Sequence, residues 1–401
     1  MAQFFKNYGL IILFAGTAVV VFAFCVVLPV VNFDWPTAET PAAAKAIRWL
    51  QLKHIFWQSL SKALFALWVF LLGACVGSFL NVVVYRVPRK QSVVSHASYC
   101  PSCGEGIRLT DNIPLIGWLR LKGACPNCQL PISSRYPIVE FTMGLVFLFL
   151  YFIELISAGA NIPVRPIGFQ TGAQATLFKP DIVLLGFTLY HAYLLCAIFS
   201  WAIILRDGNS VPPRSVVTTF AIGAVPAICF PMLLPFHVIS ANDATAILPA
   251  ALPVTLGKNV AAAVTVFTGG CMGAVLATVA LLIAKRVKFA ENAFDLASWM
   301  LIGIFLGWQA VVGTFIIAVG WLAIKALCLS FVKHDDQPSP EEAIINALEP
   351  LVGIDSPPEP PKLTQRQLMM LGVELGLFIS LIIHHGLWRI LWEVFYPATS
   401  T

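Results

Sequence analysis

Four of the ten cysteines stand as two pairs, Cys100-Pro-Ser-Cys103 and Cys125-Pro-Asn-Cys128, with 21 residues between them. Cys-x-x-Cys pairs at this separation are ligand spacing for a four-thiolate zinc site. Each pair sits on a tight knuckle, so four sulfurs can converge tetrahedrally without a large hydrophobic core. Two disulfides are the alternative chemistry, and the side of the membrane decides between them. The flanking residues are also chemically rich: Asp111-Asn112-Ile113-Pro114, Gly117-Trp118, Arg135-Tyr136-Pro137 and Glu140. The remaining cysteines, Cys25, Cys75, Cys196, Cys229, Cys271 and Cys328, fall in apolar runs and read as small buried hydrophobes.

The elements that must position this segment are membrane helices. The chain is 58% hydrophobic and only 11% charged, about half the charge of a soluble domain. We expect an all-α polytopic membrane protein of about nine transmembrane helices with a small cytoplasmic zinc-binding module. The apolar runs are 9–31, 59–85, 138–157, 182–205, 216–235, 259–284, 296–312, 313–332 and 367–388, each near or above bilayer-spanning length. The last two before the linker are divided only by the Gly307–Gly313 region. The first run is too long for a signal peptide and lacks a small-residue cleavage site, so it reads as a retained helix.

Lysine and arginine set the orientation. Residues 86–137 carry Arg86, Arg89, Lys90, Arg108, Arg120, Lys122 and Arg135 against Glu105 and Asp111, and 285–295 add Lys285, Arg286 and Lys288. These loops are expected in the cytoplasm, although Lys45, Arg48 and Lys53 fall on the expected outer side, in loop 32–58. A cytoplasmic tetrad favours zinc, because disulfides rarely persist there. Topology accounts for the net charge of +5, so no nucleic-acid partner is expected. His191 reads as a packed or hydrogen-bonded residue rather than a ligand, and His384-His385 as facing an aqueous cavity or headgroups.

The expected organisation is 1–58, an extra N-terminal helix and outer loop; 59–85, a membrane helix; 86–137, the cytoplasmic four-cysteine module; and 138–332, a helical membrane core. Residues 333–366 follow as a cytoplasmic linker, and 367–401 as the final helix and tail. The linker holds seven prolines and seven acidic residues against three basic ones, a composition that does not fold alone. No inverted repeat or Gly/Pro-broken pair of spans suggests a transporter.

The block from Gly77-Ser78-Phe79-Leu80-Asn81-Val82 and Tyr85-Arg86-Val87-Pro88 through the cysteine pairs, Asp111-Asn112-Ile113-Pro114, Arg135-Tyr136-Pro137 and Glu140 resembles type IV prepilin peptidases. Weaker similarity extends to Gly307-Trp308-Gln309. The resemblance implies a bifunctional leader peptidase and N-methyltransferase of the bacterial inner membrane, of the Gly-x-Gly-Asp intramembrane aspartyl type. It further implies prepilin or pseudopilin substrates, contact with pilus or type II secretion machinery, zinc, and S-adenosylmethionine as methyl donor. No glycine-rich fingerprint for that donor is present, so its site residues are unknown; Glu140 and Arg135 are the resemblance's candidates for the methyl-transfer region.

Two carboxylates sharing a proton would do the peptidase chemistry, one as base toward water and one polarising the scissile carbonyl. Counting back from Gly307-Trp308-Gln309, Asp295 falls at the family's second catalytic aspartate. Asn292 and Phe294 replace the motif's glycines, and Ala297 stands where the family has lysine. An aspartate there would equally cap the helix beginning at Leu296. Counting back from Pro212-Pro213 gives Leu205 where the first catalytic aspartate belongs. Asp207, two residues on, is the rescue, but Asp207-Gly208-Asn209-Ser210 is also turn chemistry. Two residues of helix rotate a side chain by ~200° and advance it by ~3 Å, so the rescue needs the helix to unwind near Leu205. The other reading is a proteolytically inactive relative acting as methyltransferase or as a pilus or secretion assembly factor.

Overall fold

The computed structural model describes residues 15–21, 23, 41–94, 98–100, 102–163, 181–239, 254–286, 296–331 and 377–391. Helices dominate, and among the described residues there is no strand, only the isolated bridges Tyr99–Gly106 and Ala124–Pro131. The helices are α1 (Pro41–Arg86), α2 (Ile116–Arg120), α3 (Arg135–Leu150), α4 (Ile182–Arg206), α5 (Pro213–Cys229), α6 (Val254–Arg286), α7 (Leu296–Leu306), α8 (Trp308–Phe331) and α9 (Leu377–Leu391). A π-helical turn, Tyr151–Ile156, continues α3.

Four helical stretches are long and apolar enough to cross a membrane: Trp49–Arg86, Arg135–Ile156, Ile182–Arg206 and Leu256–Leu282. Pro213–Cys229, Leu296–Leu306, Trp308–Gly320 and Leu377–Leu391 are shorter apolar helices. Of the expected first span, only 15–21 and 23 are described. The expected loop 32–58 is corrected from Pro41 onward, since α1 runs 46 residues without a break. At ~1.5 Å per residue it is about 69 Å long, more than twice the hydrocarbon thickness. The linker 333–366 lies outside the described residues.

Local chemistry explains the boundaries. Pro41 suits a first helical turn, and Pro88 disfavours helix in the residues before it. Asp181 caps α4, its Oδ1 accepting the Leu184 N–H at 3.0 Å. At the other end of α4, Gly208 has φ +73°. Its N–H donates to the Leu205 carbonyl at 2.9 Å and the Asn209 N–H to the Ile204 carbonyl at 3.1 Å, a Schellman closure. Gly307, at φ +84°, divides α7 from α8. The chain reverses there, because the Trp299 and Phe315 rings lie 5.7 Å apart. The break between the expected spans 296–312 and 313–332 therefore falls at Gly307.

Small residues seat the helices. A Cβ on Gly73 would lie 2.6 Å from the Met143 carbonyl oxygen, and one on Gly77 would lie 2.7 Å from the Glu140 Cα. Gly269 and Gly303 bring α6 and α7 as close: a Cβ on Gly303 would fall 1.9 Å from the Gly269 carbonyl oxygen. Such contacts hold helices together where lipid removes the hydrophobic drive between them. Outward faces are apolar, as on α1, where Trp57, Leu64, Leu67 and Trp68 are exposed. α9 packs onto α4 through Phe378 and Phe199, whose rings are 5.0 Å apart. His384 and His385 are each only 2% exposed, which corrects the expectation that they face water: α9 turns them into the bundle.

Gly77→Leu should therefore part α1 from α3, lowering stability by about 1–3 kcal/mol in thermal unfolding of detergent-solubilised protein. Gly320→Leu, where nothing lies within 4 Å, should change the midpoint little.

Candidate metal centre and carboxylate site

The cysteine module is built from two equivalent knuckles. In the first, the Cys100 N–H donates to the Glu105 carbonyl and the Gly104 N–H to the Cys100 carbonyl, both at 2.8 Å. In the second, the Cys125 N–H donates to Leu130 and the Gln129 N–H to Cys125, both at 2.9 Å. The residue after each second cysteine turns left-handed, Gly104 at φ +73° and Gln129 at φ +58°. The repeated geometry brings the sulfurs of Cys100, Cys103, Cys125 and Cys128 within 4.8 Å of one another. Cys100 Sγ and Cys128 Sγ are 3.9 Å apart, and tetrahedral zinc with ~2.3 Å bonds sets sulfurs ~3.8 Å apart. The donor set and spacing fit that ion.

Backbone N–H groups tune the thiols. Those of Cys103 and Ser102 draw Cys100 down to about 6. At Cys128 the Leu130 N–H pulls downward, but desolvation and the sulfurs of Cys125, Cys103 and Cys100 together push it up to about 11. Four touching thiols cannot all ionise without a cation among them.

Between the knuckles, Gly117 is obligatory, because a Cβ there would sit 2.0 Å from the Asp111 carbonyl oxygen. Trp118 Nε1 donates to the Ile132 carbonyl at 3.1 Å. Arg120 pairs with Asp111. Leu115 adopts φ +65°, ψ −51°, and the Ile116 N–H reaches the Pro114 carbonyl at 2.7 Å. This is the rare positive-φ γ-turn, strained for a side-chain-bearing residue. Glu140 on α3 holds it, its Oε2 accepting the Leu115 N–H at 2.7 Å in a buried site. Asn81 Nδ2 donates to the Tyr136 carbonyl at 3.3 Å. The residues that carry the family resemblance are thus the ones that fasten the module to α1 and α3.

Of the two candidate catalytic carboxylates, Asp207 is described and Asp295 lies outside the described residues, as do Asn292 and Phe294. Asp207 is the C-cap of α4, at φ −76°, ψ 7°. The helix persists through Leu205 and Arg206 and unwinds at Asp207. The Asp207 Oδ2 accepts from Arg135 Nη1 at 2.7 Å, both side chains being about one-third exposed. Arg135 opens α3 where the cysteine module ends, so this ion pair joins the module to the end of α4.

A second group of ligand-type side chains meets further along the bundle. Glu154 Oε1 lies 2.7 Å from His191 Nδ1 and 2.5 Å from His385 Nε2. The sequence marks His191 as a packed or hydrogen-bonded residue, which its contact with Glu154 agrees with, and does not single out Glu154. The three are far apart in sequence, and a lone acidic residue in an apolar run is the only available signal.

Residues 71–153 match the Bacterial Peptidase A24 N-terminal domain. Over 84 residues the chain is 55% identical to a prepilin leader peptidase/N-methyltransferase of Myxococcus xanthus, covering 21% of this chain and 25% of that protein. Over 94 residues it is 46% identical to a type 4 prepilin-like proteins leader peptide-processing enzyme of Escherichia coli, covering 19% and 35%. A prepilin leader peptidase/N-methyltransferase of Klebsiella pneumoniae is 45% identical over 85 residues, covering 20% and 37%. The chain spans about a quarter to just over a third of the length of these curated relatives. No solved structure matches. The likeness to type IV prepilin peptidases is thereby shown for residues 71–153, which hold the last part of α1, the cysteine module and α3.

Glu140→Ala strands the Leu115 N–H in a strained turn and should cost about 1–3 kcal/mol in thermal unfolding. Glu140→Gln, which keeps an acceptor oxygen, should lose less than half as much.

Proposed function

We propose that this protein is a prepilin leader peptidase of the bacterial inner membrane, cleaving the basic leader of type IV pilin-like or pseudopilin precursors at the cytoplasmic face. One observation carries the reading. The segment that matches the peptidase A24 N-terminal domain is tied, through Arg135, to Asp207 at the end of α4. A carboxylate thus stands beside the module, at the end of the bundle where a basic leader in the cytoplasm would meet the membrane.

In this reading Asp207 is one member of the dyad and Asp295 the other. One carboxylate takes a proton from water while the other, protonated, polarises the scissile carbonyl. The helix end at Asp207 supports the rescue of the Leu205 mismatch, since the backbone has left helical register there. The Arg135 ion pair has to open, or Arg135 has to turn, before Asp207 faces a peptide. Leader recognition falls to few acidic groups near the module. Asp111 is paired with Arg120 and Glu140 is buried, which leaves exposed Glu105 and the aspartates themselves.

Cys100, Cys103, Cys125 and Cys128 would hold zinc, which when bound supplies a rigid tetrahedral cross-link in place of a core. Methylation of the new N-terminus follows from the names of the relatives, with S-adenosylmethionine as donor. Of the candidates for that site, Glu140 is occupied by Leu115 and Arg135 by Asp207. No methyl-transfer step is assigned to particular side chains.

The test is co-expression with a prepilin, reading leader removal by mass spectrometry. Asp207→Asn and Asp295→Asn should each drop cleavage below about one-hundredth of wild type, because members of a catalytic unit fail together. Cleavage that persists in both variants would overturn the dyad, and a wild type that never cleaves would favour the assembly-factor reading. Replacing Cys103 and Cys128 with serine should remove about one zinc per chain, measured by elemental analysis.

A further inference from the structure

We propose that Glu154, His191 and His385 form a second metal site, for a zinc-type divalent transition ion, which clasps α9 to α3 and α4 inside the bundle. The donor set is one carboxylate and two imidazoles, a combination suited to a borderline cation. Each donor comes from a different element: the π-helical turn after α3, α4 and α9. The three ligand atoms lie within 4.8 Å of one another. Bonds of ~2.0–2.1 Å in a tetrahedral site need donors ~3.3 Å apart. The observed 2.5 and 2.7 Å separations reach that value by an opening of under ~1 Å.

Burial separates this cluster from an ordinary hydrogen-bonded trio. The exposures of Glu154, His191 and His385 are 0%, 1% and 2%. Oε2 of Glu154 and Nε2 of His191 are buried with no hydrogen-bond partner among the described residues. A carboxylate oxygen left bare in low dielectric is strongly unfavourable, because it has given up water and gained nothing. An imidazolium–carboxylate pair would satisfy Oε1 and still leave Oε2 bare, whereas an ion can be held by both oxygens.

Backbone and neighbours also point at a built site. Glu154 sits in the π-helical turn, a rare geometry that frequently marks functional positions. The Gly159 N–H closes that turn on the Glu154 carbonyl at 2.7 Å. Trp388 packs against both imidazoles, with ring centroids 5.7 Å from His191 and 5.4 Å from His385. Asn161 Nδ2 donates to the His385 carbonyl at 3.3 Å, and Arg389 Nη2 to the Ile162 carbonyl at 2.7 Å, so the loop after α3 also grips α9. His191 lies about 24 Å along α4 from Asp207, at ~1.5 Å per residue. The clasp is therefore remote from the carboxylate end and does not depend on the peptidase reading.

The full-length chain, purified in detergent from zinc-supplemented cells without chelator, tests this. Elemental analysis should find about two zinc ions per chain in wild type. About one should remain with Cys103 and Cys128 changed to serine, and about one in Glu154→Gln or His385→Gln. Cobalt exchange assigns the sites: thiolate-to-cobalt charge-transfer absorption should persist in Glu154→Gln and vanish in the cysteine variant, which should keep d–d bands of an oxygen–nitrogen site. About one zinc in wild type, unchanged by Glu154→Gln, would overturn the proposal and leave a buried ion pair. Where a variant fails to fold, wild type decides: two ions per chain support the clasp, and a single ion that shows thiolate-to-cobalt charge transfer overturns it.

Discussion

The close approach of α1 to α3 at Gly73 and Gly77 is the contact on which the rest of the structure depends. Between helices in lipid, apolar burial supplies little attraction, so backbone proximity and side-chain hydrogen bonds must do the holding. A Cβ at Gly77 would strike the Glu140 Cα, so no other residue lets α3 lie where it does. That seating brings Arg86 and Arg135, the two ends of the cysteine module, to one end of the bundle. It also presents Glu140 to the Leu115 N–H and Asn81 to the Tyr136 carbonyl. A module with almost no apolar interior of its own can then be ordered by sulfur convergence, by Trp118 and by two anchors in the bundle.

Two glutamates on one helical element show how neighbours decide what a buried carboxylate does. Glu140 accepts a backbone N–H and stabilises a strained turn. Glu154, at the other end of the same element, faces two imidazoles. A charged group in this setting is kept only with a partner, and the two partners differ in kind. One is local to the module; the other is drawn from α4 and α9, across long stretches of chain. The first fastens a loop, and the second fastens a helix.

Asp207 shows how a turn requirement can also place a carboxylate. Its position after Arg206 is set by the Schellman closure around Gly208, a backbone requirement met by turn residues. The same closure carries its carboxylate out of helical register and toward Arg135. The turn reading and the functional reading of Asp207 are therefore compatible, since the turn is what places the carboxylate beside the module.

Much was legible in the residues alone. The Cys-x-x-Cys pairs announced converging sulfurs because ligand spacing on a knuckle is a local property. The apolar runs announced membrane helices because lipid demands length and composition, both countable along the chain. The turn at Asp207-Gly208 follows from turn chemistry, which also acts within a few residues. Tertiary structure decided the rest. Only the assembled structure shows that the chain reverses at Gly307 and that Arg135 meets Asp207. Only packing brings Glu154, His191 and His385 together. These depend on how helices rotate about their axes and which faces meet, and apolar faces turned to lipid or to protein look alike in sequence. A buried polar trio drawn from three distant elements leaves no spacing to read, so its residues acquire meaning only once the helices are assembled.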